Sequence, residues 1–217
     1  MAILCAAPYP IFLLLKIYSI LSEHIGNSWV TLGELSIQYM RLTYLDFNIT
    51  VVSACFPSSQ SFLEVKLKEC EMAVEQGADE VDIVLALNAF LAGDYEAAAE
   101  EIRQIRACID AVAAKQGRKV HLKVILETGL LRTPEKIAIA SFLAMEAGAD
   151  FIKTSTGKIS IAATPEAAYV MCKAIKEYKV QTGRWVGFKA AGGIKTVDDA
   201  VAYYTIVREL LGQEFID

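Results

Sequence analysis

From residue 49 onward, short β-branched apolar runs alternate with longer segments whose apolar residues recur every three or four positions. The short runs predict strands and the longer segments predict amphipathic helices. The predicted strands are Ile49–Phe56, Glu80–Leu85, Lys119–Glu127, Asp150–Ser155 and Trp185–Ala190; the predicted helices are roughly Ser61–Gln76, Tyr95–Lys115, Pro134–Ala147, Pro165–Tyr178 and Val197–Leu211. Almost continuously apolar strands that alternate with helices indicate an α/β fold with a parallel sheet covered on both faces.

Residues 1–48 lack this regularity, and we treat them as an atypical N-terminal segment that precedes a domain over residues 49–217. A secretory signal would need positive charge before its apolar stretch. A membrane-spanning helix would need about 20 uninterrupted apolar residues, whereas Pro8, Pro10 and Lys16 interrupt this one. The favoured interpretation is a buried strand followed by an apolar helix.

The segments Glu75–Asp82 and Glu146–Lys153 align position by position, 71 residues apart. That interval holds two strand-plus-helix units, so the two strands are expected to be next-but-one neighbours. In a barrel, the side chains of one interior layer come from alternate strands. We therefore expect Asp82 and Lys153 to point the same way and to share a layer.

Four charged residues interrupt the apolar strands, namely Asp82, Lys123, Lys153 and Lys189. A buried unpaired charge costs several kcal/mol, so structural salt bridges or strand ends that reach solvent are one explanation. A reactive site is the other, because three cations facing one inner carboxylate leave an excess of positive charge that lowers lysine pKa values. A desolvated lysine beside another cation is a known source of a neutral amine nucleophile.

Two glycine-containing segments follow late strands, Thr154–Lys158 (T-S-T-G-K) and Ala190–Ile194 (A-A-G-G-I). Glycine lets backbone N–H groups approach a ligand closely, and the N-terminus of a following helix adds partial positive charge. Each segment alone also fits an ordinary glycine turn. Together they lie where barrel enzymes bind phosphate, in loops at the C-terminal face.

Composition narrows the function classes. The 217 residues carry a net charge of −5, and 54% of them are hydrophobic, which is enough for a large core. The 21 Lys and Arg residues are scattered, which argues against a nucleic-acid partner and against a polybasic membrane surface. Five cysteines without a C-x-x-C motif, and only two histidines, indicate reduced thiols in a cytoplasmic compartment and no metal site.

Four segments carry a family resemblance: Glu80–Val84, Lys123–Thr128, Gly148–Lys158 and Gly187–Ile194. They resemble the strand-end motifs of the 2-deoxyribose-5-phosphate aldolases, class I aldolases on a (β/α)₈ TIM barrel, from about residue 49 to residue 217. The resemblance implies reversible cleavage of 2-deoxy-D-ribose 5-phosphate to D-glyceraldehyde 3-phosphate and acetaldehyde, in deoxyribose catabolism. It also implies that neither a metal nor an organic cofactor takes part.

The resemblance also implies residue roles. Lys153 matches the Schiff-base nucleophile, and Lys189 matches a second lysine that lowers the pKa of the first and takes part in proton transfer. Asp82 matches the carboxylate of the proton relay, and Lys123 matches a supporting lysine. The positions that match the surroundings of the substrate phosphate are Thr156, Gly157, Lys158, Gly192 and Gly193.

Two family features have no recognisable counterpart. The first strand of the family carries an Asp-x-Thr motif that contacts substrate hydroxyls, and the eighth strand helps to hold the phosphate. Residues 3–10 better resemble the second strand, so six strands of the eight are recognised and the barrel is expected to be open. An open barrel exposes strand edges, so we expect the chain to dimerise, mispack or aggregate unless its first sixty residues cover the gap.

The sequence is therefore compatible with three functions. The chain is an aldolase of this family, a non-catalytic homologue that serves as a phosphate-binding or partner subunit, or another Schiff-base sugar-phosphate aldolase. The lysine pair and Asp82 favour the first, because drift should remove costly buried charges early. The unrecognised strands favour the second.

Overall fold

The computed structural model describes residues 4–6 and 48–216, which contain a six-stranded sheet. Its strands are β1 (Leu4–Ala6), β2 (Thr50–Val52), β3 (Glu80–Val84), β4 (His121–Ile125), β5 (Phe151–Lys153) and β6 (Gly187–Ala190). Their order across the sheet is β1-β6-β5-β4-β3-β2. Strands β2 to β6 run parallel to one another, which confirms the predicted parallel sheet.

Seven α-helices are described: α1 (Leu63–Glu75), α2 (Leu87–Leu91), α3 (Tyr95–Lys115), α4 (Thr128–Leu131), α5 (Pro134–Glu146), α6 (Pro165–Thr182) and α7 (Val197–Leu211). A short 3₁₀ helix follows at Gln213–Phe215. The hydroxyls of Thr133 and Thr164 cap α5 and α6, each of which has a proline in its first turn. All five predicted helices are confirmed, whereas α2 and α4 are too short to show a helical period.

The two faces of the parallel sheet carry different kinds of side chain. One face carries apolar side chains that pack beneath the helices, which contact one another in the order α1, α3, α5, α6, α7. The other face carries the charged residues of the candidate site. The buried apolar residues of the helix-facing side are Val81, Ile83, Leu122, Val124, Ile152, Phe188 and Ala190.

The sheet curls around the face that carries the charges. In a flat sheet, β3 and β6 would lie three strand spacings apart, about 14 Å, and perpendicular side chains would stay that far apart. Asp82 Oδ2 of β3 instead lies 3.0 Å from Lys189 Nζ of β6. Such curvature, with helices on the convex side, is the arrangement of a (β/α) barrel.

The strand β1 does not occupy the position of the second barrel strand, which residues 3–10 were expected to form. A strand was predicted near residues 3–10 and one is found, but it pairs antiparallel with β6, with Leu4 opposite Ala190. A second barrel strand would run parallel beside β2, at the other edge of the sheet. The helix expected after it lies outside the described residues, and the boundary between residues 1–48 and 49–217 stays a prediction.

Within the described part of the chain, no helix is both long enough and apolar enough to cross a bilayer.

Candidate active site

Four charged side chains meet on the concave face of the sheet, with Asp82 at their centre. Lys153 Nζ lies 2.7 Å from Asp82 Oδ2 and Lys189 Nζ lies 3.0 Å from the same oxygen, while Lys123 Nζ lies 3.2 Å from Oδ1. None of the four side chains is more than 3% exposed. The structure thus brings together all four residues that the sequence predicted as a catalytic group.

Strand register explains this meeting. Asp82 is the direct partner of Lys123 across β3 and β4, and Lys153 is the direct partner of Lys189 across β5 and β6. Strand β4 separates β3 from β5, as the internal repeat predicted, and the equivalent residues Asp82 and Lys153 touch over it. Each side chain therefore occupies its place because the strands alternate inward and outward positions.

A second carboxylate belongs to the same network. Glu80 lies two residues before Asp82 on the same face of β3, and its Oε2 accepts hydrogen bonds from Lys123 Nζ and from the Thr50 hydroxyl. The expectation that three cations face a single inner carboxylate is therefore wrong. Three lysines face two carboxylates, which leaves one net positive charge among these five groups.

The pKa of Asp82 is set by opposing effects. Burial raises the pKa of Asp82, but the positive charges of Lys189, Lys153 and Lys123 outweigh burial and hold it far below its usual range. The same balance, dominated on the lowering side by Lys123, keeps the pKa of Glu80 below normal. Both carboxylates are therefore anionic at neutral pH.

The pKa of Lys153 is lowered, and burial is the largest cause. The negative charge of Asp82 opposes this effect, and the positive charge of Lys189 then lowers the Lys153 pKa further. Lys123 adds a smaller lowering effect. Desolvation thus lowers the Lys153 pKa more than like-charge repulsion does, whereas the sequence pointed mainly to repulsion.

The loops that follow β5 and β6 are joined to each other. The Thr154 hydroxyl donates to the carbonyl oxygen of Ala191 at 3.0 Å and accepts from the Ala191 N–H at 2.9 Å. A Cβ atom placed on Gly192 would lie only 3.1 Å from the Cα atom of Gly157, so glycine permits this close packing. The two predicted anion-binding segments therefore form one surface directly beyond the lysines.

The two segments differ in which backbone donors are free. Within the first, the N–H of Gly157 donates to Ser155 Oγ at 2.8 Å, and the N–H of Lys158 donates to Thr156 Oγ1 at 3.1 Å. These donors are satisfied inside their own loop. The Lys158 side chain is exposed at the rim of the surface.

The second segment has backbone donors without a partner in the main described range of the chain. Residues 48–216 provide no hydrogen-bond acceptor to the backbone N–H groups of Gly192, Gly193 and Ile194. Gly192 and Gly193 have φ values of +84° and +82°, and successive N–H groups in such turns converge on a concavity that binds anions. Gly192 and Gly193 were predicted from the sequence, and Ile194 completes the set.

A cavity of about 260 Å³ lies away from this cluster, between α4, α5 and α6. None of the predicted site residues lines it; its walls include Thr128, Arg132, Ile137, Ile161 and Glu166. Among the described residues, no three His, Cys, Asp or Glu side chains are grouped so as to hold a metal ion. That the reaction needs neither a metal nor a cofactor remains an expectation.

Comparison with known proteins identifies the lineage. The model of the DeoC/LacD family aldolases matches residues 51–208. The chain belongs to this family. The matched range contains Asp82, Lys123, Lys153 and Lys189 together with both loops.

Similar proteins carry aldolase names. The chain is 44% identical over 169 residues to the human deoxyribose-phosphate aldolase, covering 77% of this chain and 50% of the human protein. It is 40% identical over 182 residues to the bovine deoxyribose-phosphate aldolase, covering 83% of this chain and 54% of the bovine protein. The chain therefore spans about half the length of these DeoC/LacD relatives.

Solved structures agree with the fold. The structure of QR15, an aldolase, has a TM-score of 0.68 and 29% identity, covering 92% of this chain and 84% of that one. The tetrameric deoxyribose phosphate aldolase of Aeropyrum pernix has a TM-score of 0.66 and 28% identity, covering 80% of this chain and 66% of that one. The α/β fold of the DeoC/LacD chain is thus that of the TIM-barrel aldolases.

Proposed function

We propose that this chain is a class I aldolase, a lyase that reversibly cleaves 2-deoxy-D-ribose 5-phosphate to D-glyceraldehyde 3-phosphate and acetaldehyde through a Schiff base on Lys153. The observation that carries the proposal is the buried contact of Lys153 and Lys189 with one oxygen of Asp82, at 2.7 and 3.0 Å. The names of the human and bovine relatives support the choice of substrate.

The first step requires a neutral amine. Burial lowers the pKa of Lys153, so a larger fraction of Nζ carries a lone pair at neutral pH than in an exposed lysine. That lone pair adds to the aldehyde carbon of the open-chain sugar, and loss of water leaves an iminium ion on Nζ. The C2–C3 bond then breaks, its electron pair moves toward the iminium nitrogen to form an enamine, and the C3 hydroxyl loses its proton.

Proton transfers complete the cycle. The enamine takes a proton at C2, and water then hydrolyses the resulting iminium to release acetaldehyde and the lysine. We assign these transfers to Asp82 and Lys189, acting with a water molecule, since both lie within 3.0 Å of one another beside Nζ of Lys153. Lys123 supports them by holding the other oxygen of Asp82.

The phosphate site is assigned to the joined loops beyond β5 and β6. The N–H groups of Gly192 and Gly193, which have no acceptor among residues 48–216, support this assignment, as does the charge of Lys158 at the rim of the same surface. Thr156 and Gly157 belong to the part of that surface that follows Lys153. A substrate bound in this way would extend from the loops toward the Lys153 amine.

The non-catalytic alternative is less well supported. A subunit that only binds phosphate would have no use for three lysines and two carboxylates inside its sheet, because buried ionic groups rarely improve stability over apolar ones. We also propose a cytoplasmic location, in keeping with the free thiols of Cys55, Cys70, Cys108 and Cys172. A homodimer, and the absence of nucleic-acid and membrane partners, stay predictions.

Reductive trapping tests the proposed function. The chain is incubated with acetaldehyde and borohydride, digested, and mapped by mass spectrometry, and we expect a single dominant ethyl adduct on Lys153. Lys153→Arg should abolish the adduct, while Lys176→Arg, at an exposed position of α6, serves as the matched control. A dominant adduct on another lysine, or none in a folded sample, would overturn the proposal.

A further inference from the structure

Glu127 is a buried carboxylate to which the proposed reaction gives no role. It follows β4 directly, it is only 2% exposed, and its backbone has a φ of +53°. A non-glycine residue in this left-handed region costs about 1 kcal/mol or more, and such strain persists where the surroundings hold it in place. The strained backbone therefore indicates that the placement of the Glu127 side chain matters to the protein.

Both oxygens of Glu127 point to the loop that follows β5. Oε1 accepts the backbone N–H of Thr156 at 3.2 Å, and Oε2 accepts the Thr156 hydroxyl. The same hydroxyl oxygen accepts the N–H of Lys158 at 3.1 Å. One carboxylate thus fixes the rotamer of Thr156 and, through it, the turn that leads to Lys158.

The position of Thr156 influences the N–H groups of residues 192–194 through direct packing. Gly157, which follows Thr156, packs against Gly192 so closely that a Cβ on Gly192 would lie 3.1 Å from its Cα. Gly192 begins the run of three N–H groups, ending at Ile194, for which the described residues 48–216 provide no acceptor. A displaced Thr156 would therefore displace the wall against which those donors are aligned.

We propose that Glu127 is a positioning residue that, by holding Thr156, sets the geometry of the phosphate-binding N–H groups of residues 192–194. This inference deepens the proposed function and rests on it for the identity of the phosphate ester. The backbone N–H and the hydroxyl of Thr156 both donate to Glu127, so Thr156 holds the loop in place. If Glu127 acted only through its negative charge, it would repel phosphate and its removal would strengthen phosphate binding. If Glu127 positions the loop, its removal should weaken phosphate binding.

Binding of inorganic phosphate tests the inference without any catalysis. In the parent chain, we expect a phosphate titration followed by NMR to move the backbone amide signals of Gly192, Gly193 and Ile194. Glu127→Ala should weaken this binding by about tenfold to a hundredfold, the range expected for loss of hydrogen bonds to a charged group. Thr156→Val should weaken it similarly, and Thr156→Ser should stay closer to the parent.

A matched control separates positioning from general loss of stability. Ser141→Ala removes another buried hydroxyl, which donates to the Ile137 carbonyl oxygen at 2.7 Å inside α5. It should leave phosphate binding unchanged even if thermal stability falls. Phosphate affinity in Glu127→Ala equal to or higher than in the parent, or a parent whose 192–194 amides do not respond, would overturn the inference.

The two proposals fail separately. Trapping of acetaldehyde on Lys153 does not involve a phosphate group, so Glu127→Ala should retain the adduct if Glu127 acts only on the phosphate side. Loss of the adduct in that variant would overturn the positioning role and leave the aldolase proposal intact. Absence of the adduct in the parent would overturn the aldolase proposal, while the phosphate titration would still decide the role of Glu127.

Discussion

Replacing Lys189 by methionine should make Lys153 a poorer nucleophile at neutral pH. The two lysine nitrogens donate to the same oxygen of Asp82, at 2.7 and 3.0 Å, and two donors on one carboxylate oxygen lie about 5 Å apart at ordinary angles. At that separation, two positive charges repel by about 3 kcal/mol when the effective dielectric constant is about 20. Methionine keeps most of the side-chain length and removes the charge.

The sign of the effect follows from which form of Lys153 the charge disfavours. The positive charge of Lys189 lowers the pKa of Lys153, so its removal should raise that pKa and shrink the neutral fraction. A repulsion of about 3 kcal/mol corresponds to roughly a hundredfold change in the ratio of neutral to charged amine. Imine formation at neutral pH should slow by up to that factor and recover at alkaline pH.

The assay is the rate of acetaldehyde trapping by cyanoborohydride, measured on Lys153 across a pH series. This readout depends on the amine and not on turnover, so a lost proton relay does not obscure it. Lys189→Arg keeps the charge and should keep the pH profile near that of the parent. A Lys189→Met profile with the same midpoint as the parent, or a lower one, would refute the electrostatic reasoning.

Two further predictions concern stability. Lys66→Met should lower the free energy of unfolding by about 1–3 kcal/mol, because it removes the partner of Glu101, a partly buried carboxylate that the buried Lys66 Nζ contacts at 2.8 Å. Lys68→Met, in an exposed pair on the same helix, should cost clearly less in the same urea titration, and equal losses would contradict the burial argument. Glu80→Gln should make the free energy of unfolding depend less steeply on pH below about 4.3, the usual pKa of glutamate. The pKa of Glu80 is lowered in the folded state, so its carboxylate stabilises the fold above that pH. This contribution is lost as the pH falls through the folded-state pKa. Urea titrations between pH 3 and 5 check this, and an unchanged slope would show that Glu80 gains nothing from its partners.

The regular elements were predictable because their periodicities are local. The helices Tyr95–Lys115 and Val197–Leu211 have the predicted bounds, since capping residues and apolar spacing define them within the segment itself. The position of Leu4–Ala6 beside β6 was not predictable, because three apolar residues carry no information on which strand edge they will meet. Pairing partners far apart in the chain are a property of the whole fold.

The site divides in the same way. The cluster around Asp82 was predictable because a charge inside an apolar strand demands a partner. Glu80 was missed as a member, although it lies two residues before Asp82 and therefore on the same face of the strand, because the first residue of a strand is readily taken for a solvent-exposed one. Glu127 was missed because its partner, Thr156, lies 29 residues away and is reached only through a left-handed backbone at Glu127.

The shared oxygen of Asp82 has a consequence for the energetics of the whole cycle. A protonated Lys153 and an iminium on the same nitrogen both carry one positive charge and both keep an N–H that can donate to Asp82. The cluster thus has the same net charge with a protonated Lys153 and with the iminium intermediate, whereas the free amine and the enamine each carry one positive charge fewer. The field of the protein is therefore arranged for the intermediate before any sugar arrives, so that the carboxylate need not move when the carbon–nitrogen bond forms.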